Sequence, residues 1–380
     1  MDDPAAVFSS FKLSKSCQTS VVIPVRNESE HILKTLTAFA RQVDRHKNPL
    51  DPESFEILML ANNCTDDSVD IIKKFQQENL TLPLYLAEME LSAEDANIGF
   101  VRRLLMNAAF HRLRNSPFGD GVMMTTDSDT VVADDWIVSN LTEIKAGADA
   151  VGGRIIIDKA ELKKMNRLCR EIHLKDEEYR LLMAEIETLI DDLPFDHAPR
   201  HHQHFNGSFA VTTQAFEQAG GIPEVKFLED CAFFDRLQKM DAKVRHSPLV
   251  KVYTSARQNG RCEVGLSFQI NLWKTLRQSG EEILVESAQS IVNRLNVQKE
   301  LRTLWRRFWD ENPIALSAVQ KVASQILISD QFILYQLEKK QPFGLFYSEI
   351  IQGQGLKPLP LVCLNQALQD LRIAIKKRRG

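Results

Sequence analysis

Short apolar runs alternate with helical stripes over the first 157 residues of the chain. Runs at 20–25, 55–61 and 121–126 are apolar at nearly every position and too short for helices, which is typical of buried strands. Between them, apolar residues recur every three or four positions, which predicts helices. The predicted order is strand 20–25, helix 28–43, strand 55–61, helix 65–79, strand 82–87, helix 100–113, strand 121–126, helix 134–145 and strand 149–157. This alternation predicts an α/β fold, Rossmann-like, whose mostly parallel sheet carries helices on both faces.

The pattern changes after residue 157. Charged residues with a helical apolar stripe predict a helical insertion at about 158–200, and 206–211 resumes sheet-like sequence. Further helical patterns follow at 266–278, 281–295, 300–309, 314–337 and 361–377. The sequence therefore predicts an α/β domain over 1–265, interrupted by the insertion, and an α-helical C-terminal extension over 266–380.

Composition narrows the class of protein. The net charge of -4 gives no reason to expect a nucleic-acid partner. No stretch approaches the roughly 18 consecutive apolar residues of a membrane span, and the acidic start of the chain does not resemble a signal peptide. The 6 cysteines show no paired spacing, which favours reduced thiols. We therefore expect a cytoplasmic protein with at most peripheral membrane contact, and the basic end at 376–379 to be a solvated helix terminus.

Polar residues follow three of the predicted strands at the point where each strand ends. They lie at 26–28, 62–68 and 127–129. In an open parallel sheet, ligands bind in the crevice outside the carboxyl ends of the strands. The recurrence of polar residues at these positions predicts one binding cleft at this edge of the sheet.

Two carboxylates, Asp127 and Asp129, follow a buried strand with one residue between them. Mg²⁺ or Mn²⁺ in proteins takes one or two carboxylates and completes its coordination with phosphate oxygens. Such a metal stabilises a diphosphate leaving group by neutralising the charge that the group gains. The alternative is an ordinary helix-capping loop, in which Asp and Ser are also common. The position behind a buried strand favours the metal site.

Two further motifs fit the same chemistry. Glu229 and Asp230 open a predicted helix, and a carboxylate here can take the proton from an attacking hydroxyl. The alternative is a pair of first-turn acids favoured by the helix dipole. Arg257 and Arg261 flank a glycine, an arrangement that suits the binding of phosphate oxygens. Their alternative is a solvated basic turn.

Taken together, these motifs resemble the family 2 glycosyltransferases of the GT-A fold, over residues 20 to about 265. The matching segments are 21–28, 62–68, 127–129, 220–223, 229–230 and 255–261, in the order of the family. The resemblance implies an inverting, hexosyltransferase-type enzyme that uses a nucleotide-diphospho-sugar, UDP- or GDP-linked, with Mn²⁺ or Mg²⁺.

The resemblance also implies site residues. The residues that it assigns to the nucleotide are Pro24, Arg26, Glu28, Asn62, Asp66, Asp67, Arg102, Asp127, Ser128, Arg257 and Arg261. It assigns the metal to Asp129 with Asp127, and catalysis to Asp230, as general base, with Glu229. The family often has Asp-Gly-Ser-x-Asp where this chain has Asn-Asn-Cys-Thr-Asp at 62–66, so the choice between Asp66 and Asp67 as the base contact stays open.

The acceptor is not readable from the sequence. The Gln-x-x-Arg-Trp motif of processive synthases is absent, which predicts the transfer of a single sugar. A small molecule, a lipid head group and a glycan all remain open as acceptors. The histidines at 201–204 favour a mobile loop beside the acceptor over a zinc site. His246 is either a buried structural residue, the favoured interpretation, or a third metal contact.

Two other functions compete with sugar transfer. A nucleotidyltransferase on a related sheet also needs a metal, but it usually has a Gly-rich first loop, and 25–28 contains no glycine. A catalytically silent, nucleotide-sugar-binding regulatory protein would tend to lose one of the four acids at 127, 129, 229 and 230, and all are present. An NAD enzyme is disfavoured because no G-x-G-x-x-G follows the first strand.

Overall fold

A computed structural model of the chain describes residues 7–117, 120–256, 268–269, 272, 275, 282–353 and 360–379. The chain forms two compact units, which are considered separately. The first unit comprises Met1–Met165, Gln203–Asp235 and Lys243–Gln269. The second comprises Asn166–His202, Arg236–Ala242 and Ile270–Gly380, so it contains most of the predicted insertion and the C-terminal segment. The predicted Arg257 and Arg261, and most of the predicted helix at 266–278, lie outside the described residues.

The elements up to residue 254 alternate as the apolar pattern predicts. In chain order they are β1 (Thr19–Val25), α1 (Ile32–Ala40), β2 (Phe55–Asn62), α2 (Ser68–Glu78), β3 (Leu84–Met89), α3 (Ile98–Arg114), β4 (Val122–Thr126), β5 (Thr130–Val132), α4 (Trp136–Lys145), β6 (Ala150–Ile157), α5 (Lys159–Lys164), α6 (Arg167–Ile190), β7 (Ser208–Thr212), α7 (Thr213–Gln218), α8 (Glu229–Lys239) and β8 (Val244–Thr254). All belong to the first unit except α6 and the end of α8. The short β5 and the long β8 were not predicted.

The strands form one eight-stranded sheet with the order β3-β2-β1-β4-β7-β6-β8-β5. The four neighbouring strands β3, β2, β1 and β4 are parallel to one another, and β6 is parallel to β8. The strand β7 is antiparallel to both of its neighbours, β4 and β6, and β5 is antiparallel to β8. The predicted α/β fold with a mostly parallel sheet is therefore confirmed. The chain steps outward from β1 to β3 and then returns to β4 on the other side of β1, which makes the β1–β4 junction a topological switch point.

Both faces of the central strands are buried, which explains their unbroken apolar sequence. Val21 and Ile23 of β1 lie in one hydrophobic cluster with Leu36 of α1 and Ile72 of α2. On β1 the alternate residue Val22 is also fully buried, and α3 packs against β1 and β2. Helices thus cover the sheet on both faces, as the absence of polar–apolar alternation predicts.

One charged residue interrupts the apolar run of β2, and the structure supplies its partner. Glu56 is 1% exposed and accepts hydrogen bonds from Arg112 of α3, at 2.6 Å to Nη2, and from Ser20 of β1, also at 2.6 Å. Arg112 also donates to the backbone carbonyls of Phe8 and Phe11 at 2.7 and 2.9 Å. A buried carboxylate is tolerated when it is paired and hydrogen-bonded in this way. Through Arg112, the Glu56–Arg112 ion pair holds the N-terminal segment against the sheet.

The second unit is mostly helical. After α6, its elements are a 3₁₀ turn (Pro194–Asp196), β9 (Leu284–Glu286), α9 (Ala288–Trp309), α10 (Leu316–Ile326), α11 (Asp330–Glu338), α12 (Phe343–Gly353), β10 (Leu361–Cys363) and α13 (Leu364–Arg379). One hydrophobic core contains residues of α6, α9 and α13. A second core contains residues of α9, α10, α11 and α12. The strands β9 and β10 form a small antiparallel pair. The predicted C-terminal helical region is confirmed.

Its internal boundaries differ from the prediction. The helices expected at 281–295 and 300–309 are one helix, α9, preceded by β9. The helix expected at 314–337 is two, because Leu327 adopts the left-handed conformation at φ 58° and ends α10. The helix α12 was not predicted; Asp241 caps it by accepting hydrogen bonds from the amides of Phe343 and Gly344 at 2.6 and 2.8 Å. Within the described residues, no helix is long and apolar enough to cross a membrane.

Candidate active site

Three loops leave the sheet at the carboxyl edge of β1, β2 and β4. Because these strands are parallel neighbours, the segments at 26–28, 63–67 and 127–129 emerge on the same side. The paired register of β1 with β4 ends at Val22 and Thr125, where the switch point opens. The hydroxyl of Thr35, buried in α1, donates to the carbonyl of Ser128 at 2.9 Å and so holds the third loop. The convergence of polar loops that the sequence predicts is present in the structure.

The side chain of Arg102 joins two of the predicted acidic motifs. Its Nη2 donates to Oδ1 of Asp127 at 2.6 Å, and its Nε lies 3.2 Å from Oε1 of Glu229. The guanidinium also donates to the hydroxyl of Thr125 and lies 3.5 Å from the carbonyl of Asn206. Segments that are about one hundred residues apart in sequence therefore meet at a single buried cation.

This geometry differs from the predicted role of Arg102. The prediction assigns Arg102 to the nucleotide, but the residue is only 2% exposed and is engaged by the protein itself. Burial acts to lower the pKa of the Arg102 guanidinium, but the charges of Asp127 and Glu229 outweigh it and hold the pKa above its usual value. Arg102 is therefore a permanently charged element within the protein.

Glu229 belongs to the same buried network. It is 5% exposed, and its Oε1 also accepts a hydrogen bond from the side-chain amide of Asn206 at 3.1 Å. The contact between Asn206 and Glu229 was not predicted from the sequence. Glu229 is thus enclosed by protein groups, whereas Asp230, the next residue in the first turn of α8, is partly exposed.

Asp230 lies in the first turn of α8, where its Oδ1 accepts the backbone amide of Cys231 at 2.8 Å. Leu228, two residues before Asp230, has a positive φ of 56°. This conformation is uncommon for a branched residue, and it often marks functional segments.

The loop before Leu228 passes very close to α3: a Cβ placed on Gly99 would lie 1.9 Å from the carbonyl oxygen of Val225. Glycine is therefore required at position 99.

Asp129 lies two residues beyond Asp127 and has different surroundings. Its two oxygens accept hydrogen bonds from neutral hydroxyl groups, Oδ1 from Thr130 at 3.4 Å and Oδ2 from Ser255 at 3.0 Å. Asp127 instead faces the positive charge of Arg102. The two carboxylates of the predicted metal motif are thus not equivalent.

The first two loops are bound to each other through their polar residues. Both oxygens of Asp66 are used: Oδ2 accepts the amide of Ser29 at 3.0 Å, and Oδ1 accepts the hydroxyl of Ser68 at 2.6 Å. The amide of Glu28 in turn donates to the Ser68 hydroxyl at 2.6 Å. Burial acts to raise the pKa of Asp66, but the hydrogen bonds from Ser68 and Ser29 lower it to about 2. Asp66 is a structural residue of this junction.

The remaining predicted nucleotide residues lie around the same edge. Pro24 and Asn62 are buried within or at the end of their strands, and Glu28 is 5% exposed. Arg26 and Asp67 are exposed, and Arg26 donates to the carbonyl of Ala96 at 2.8 Å. A cavity of about 210 Å³ opens beside the ends of β2 and β3. It is lined by Ala61, Cys64, Val69, Glu88, Met89 and Glu90.

The two histidines of the first unit that the sequence singles out lie together. The ring of His204 stacks on Phe234 with 3.7 Å between the ring centroids, and His246, 6% exposed, lies edge-on to both. Within the described residues, no three His, Cys, Asp or Glu side chains converge as a metal cage. A carboxylate site that uses substrate phosphates does not need such a cage, and the oxygen donors of Asp129 and Asp127 fit Mg²⁺ or Mn²⁺ in that mode.

Sequence comparison gives a family match over the first part of the sheet. Residues 20–87, which run from β1 through β3, match the model of the family described as Glycosyl transferase family 2. This part of the chain is therefore similar to family 2 glycosyltransferases. The match to this glycosyltransferase family does not include the segments that carry Asp129 and Asp230. The sequence has no significant match among curated proteins.

Solved structures give distant matches. The mannosyltransferase PcManGT from Pyrobaculum calidifontis, in complex with GDP-Man and Mn²⁺, is 12% identical, with 95% of this chain and 84% of that chain covered at a TM-score of 0.44. TarS 1-349 of S. aureus, in complex with UDP, is 12% identical, with coverage of 91% and 96% and a TM-score of 0.42. Glucosyl-3-phosphoglycerate synthase from Mycobacterium tuberculosis, in complex with phosphoglyceric acid, is 13% identical, with coverage of 74% and 84% and a TM-score of 0.37.

Proposed function

We propose that this protein is a family 2 glycosyltransferase that transfers a single sugar from a UDP- or GDP-linked donor to an acceptor hydroxyl, with inversion at the anomeric carbon. The donor binds in the crevice at the carboxyl ends of β1, β2 and β4, and Asp230 is the general base. The observation that carries the proposal is the shared contact of Asp127 and Glu229 with Arg102. It supports a single site in which the loop behind β4 and the start of α8 act on the same substrate.

The nucleotide lies against the first two loops. Asp66 is occupied by Ser29 and Ser68, which favours the exposed Asp67 as the contact to the base. The cavity of about 210 Å³ beside β2 and β3 is a suitable place for that base. Arg257 and Arg261 stay predictions as the residues that bind the diphosphate.

In the transfer step, the acceptor hydroxyl gives its proton to the carboxylate of Asp230 as its oxygen forms a bond to the anomeric carbon. The bond from that carbon to the diphosphate breaks, and the diphosphate leaves with the electron pair. The amide of Cys231 orients the Asp230 carboxylate by binding one oxygen. Asp129, assisted by Asp127, would hold Mg²⁺ or Mn²⁺, which supplies neutralisation of the charge that the leaving group gains.

A panel of nucleotide sugars tests this proposal. The purified chain is incubated with UDP-, GDP- and dTDP-sugars, with and without Mn²⁺, and thermal stability and release of nucleoside diphosphate are measured. We expect one donor to stabilise the protein and to be hydrolysed slowly in the presence of metal. Release of pyrophosphate would instead indicate a nucleotidyltransferase, and stabilisation without turnover, with every acceptor class tested, would indicate a regulatory protein.

A further inference from the structure

We propose that Arg102 is a positioning residue that fixes the donor side of the site relative to the acceptor side. The inference rests on the proposed transfer reaction. One guanidinium binds Asp127, two residues before the metal-site Asp129, and Glu229, one residue before the base Asp230. Arg102 thus acts through the neighbours of the two residues that contact the substrate, and does not contact the substrate itself.

The contacts of Arg102 restrict its orientation. Besides the two carboxylates, the guanidinium donates to the hydroxyl of Thr125 in β4, and its side chain is 3% exposed. The planar fork of arginine makes several hydrogen bonds in fixed directions, which the flexible single ammonium of lysine cannot do. A shift of the loop behind β4 therefore requires a matching shift at the start of α8.

The charges of the network support positioning over stabilisation. Burying an arginine with two carboxylates is costly, and apolar residues of similar volume often stabilise a fold as well or better. Arg102 binds Asp127, which precedes Asp129 by two residues, so the ion pair fixes the position of the loop that carries the proposed metal ligand.

The same helix contains a matched control. Arg112 is ten positions further along α3, roughly 15 Å away at the rise of an α-helix. It forms a similarly buried ion pair with Glu56, whose side chain is 2% exposed. The change Arg112→Met thus imposes the same kind of structural loss at a distance from the site.

The experiment compares Arg102→Met, Arg102→Lys and Arg112→Met with the wild type, using the donor that the wild type hydrolyses among UDP- and GDP-sugars with Mn²⁺. Activities are corrected for the folded fraction. We expect Arg102→Met to lower kcat by about 10²-fold, since small misplacements of reacting groups cost this much. The donor KM should change by no more than about threefold, because the variant keeps the contacts that bind the donor equally in the ground state and the transition state. Arg102→Lys should be intermediate, and Arg112→Met should retain the wild-type kcat despite a lower melting temperature.

A second measurement does not need catalysis. Asp127→Asn and Glu229→Gln are combined in a double-mutant cycle of urea midpoints, once with Arg102 and once with Met at that position. Coupling is expected only when Arg102 is present, because the arginine is the shared partner. Arg102→Lys replaces Arg102→Met in the cycle if the methionine variant does not fold.

The outcomes separate this inference from the proposed function. If no donor is hydrolysed by the wild type, the proposed function fails, and the urea cycle alone decides whether Arg102 links the two segments. Additive midpoints in both backgrounds would overturn the linkage. A kcat that falls no further in Arg102→Met than in Arg112→Met would overturn the positioning role even if coupling is found.

Discussion

Asp66 accepts a hydrogen bond from the backbone amide of Ser29 at 3.0 Å, which joins the loop behind β2 to the loop behind β1. The other oxygen of Asp66 accepts a hydrogen bond from the hydroxyl of Ser68. That hydroxyl in turn accepts a hydrogen bond from the backbone amide of Glu28. The hydrogen bonds are made by the charged form of Asp66, and they overcome the effect of burial to lower its pKa from 3.8 to about 2. The loops behind β1 and β2 are therefore held together by an ionised carboxylate.

We predict that Asp66→Asn destabilises the fold in a pH-dependent manner. Since the folded pKa lies below the unfolded value, ionised Asp66 stabilises the protein above about pH 4 and loses this effect as the pH falls towards 2. The free energy of unfolding should drop by about 1 kcal/mol at pH 7, after allowance for solvent screening. Urea unfolding at pH 7, 4 and 2.5 measures the difference, with the exposed Asp67→Asn as control. An undiminished difference at pH 2.5 would contradict the assignment.

We predict that Asp230→Asn abolishes most transfer and leaves donor binding intact. The asparagine keeps the shape of the side chain but cannot accept the proton, and general-base catalysis is worth about 10²-fold or more. Steady-state kinetics and titration with UDP and GDP measure the two effects. Asp235→Asn, an exposed position in the same helix, is the matched control. Turnover near the wild-type rate in Asp230→Asn would show that another group is the base.

We predict that Asp129→Asn removes the metal-dependent part of donor binding. Its carboxylate is held by neutral hydroxyl groups and is suited to contribute one charged oxygen ligand to Mg²⁺ or Mn²⁺. Calorimetric titration with UDP and GDP, with Mn²⁺ or with a chelator, measures the effect. Asp134→Asn, whose side chain is 63% exposed, serves as control. If Mn²⁺ strengthens nucleotide binding equally in Asp129→Asn and the wild type, Asp129 is not the ligand.

We predict that Asp241→Ala loosens α12 in the second unit. The carboxylate caps the amides of Phe343 and Gly344, and the loss of such a cap costs about 1 kcal/mol. Hydrogen exchange should become faster in the first turn of α12 and stay unchanged in α10. Asp241→Asn retains one acceptor and should lie between the alanine variant and the wild type. Equal exchange in all three proteins would refute the cap.

The elements that position the site were predictable because local sequence alone determines them. Strands buried on both faces need apolar side chains at every position, and the runs at β1, β2 and β4 leave little choice of structure. The polar residues behind these strands could then be assigned to one edge, since parallel strands end on the same side. The boundary of α1 was placed too early because Glu28 belongs to the loop, where its amide binds Ser68.

The network around Arg102 could not be predicted as readily. Arg102 lies on the same helical stripe as Leu105 and Ala109, three and seven positions further on, and this was a signal that it is buried. Its partners come from distant parts of the chain, and a single sequence does not specify such pairs. The division of the helix at 314–337 was missed for a related reason: the left-handed Leu327 has no special residue type to indicate it.

The close approach of Gly99 to Val225 has a practical consequence for engineering. Val225, Phe227 and Leu228 are partly exposed on the loop that leads to Asp230, so they are natural positions for a randomised library that seeks new acceptors. In a library that also varies Gly99, most variants would carry a side chain that clashes with the carbonyl oxygen of Val225. Fixing that one glycine preserves the backbone frame on which altered acceptor selectivity can be screened.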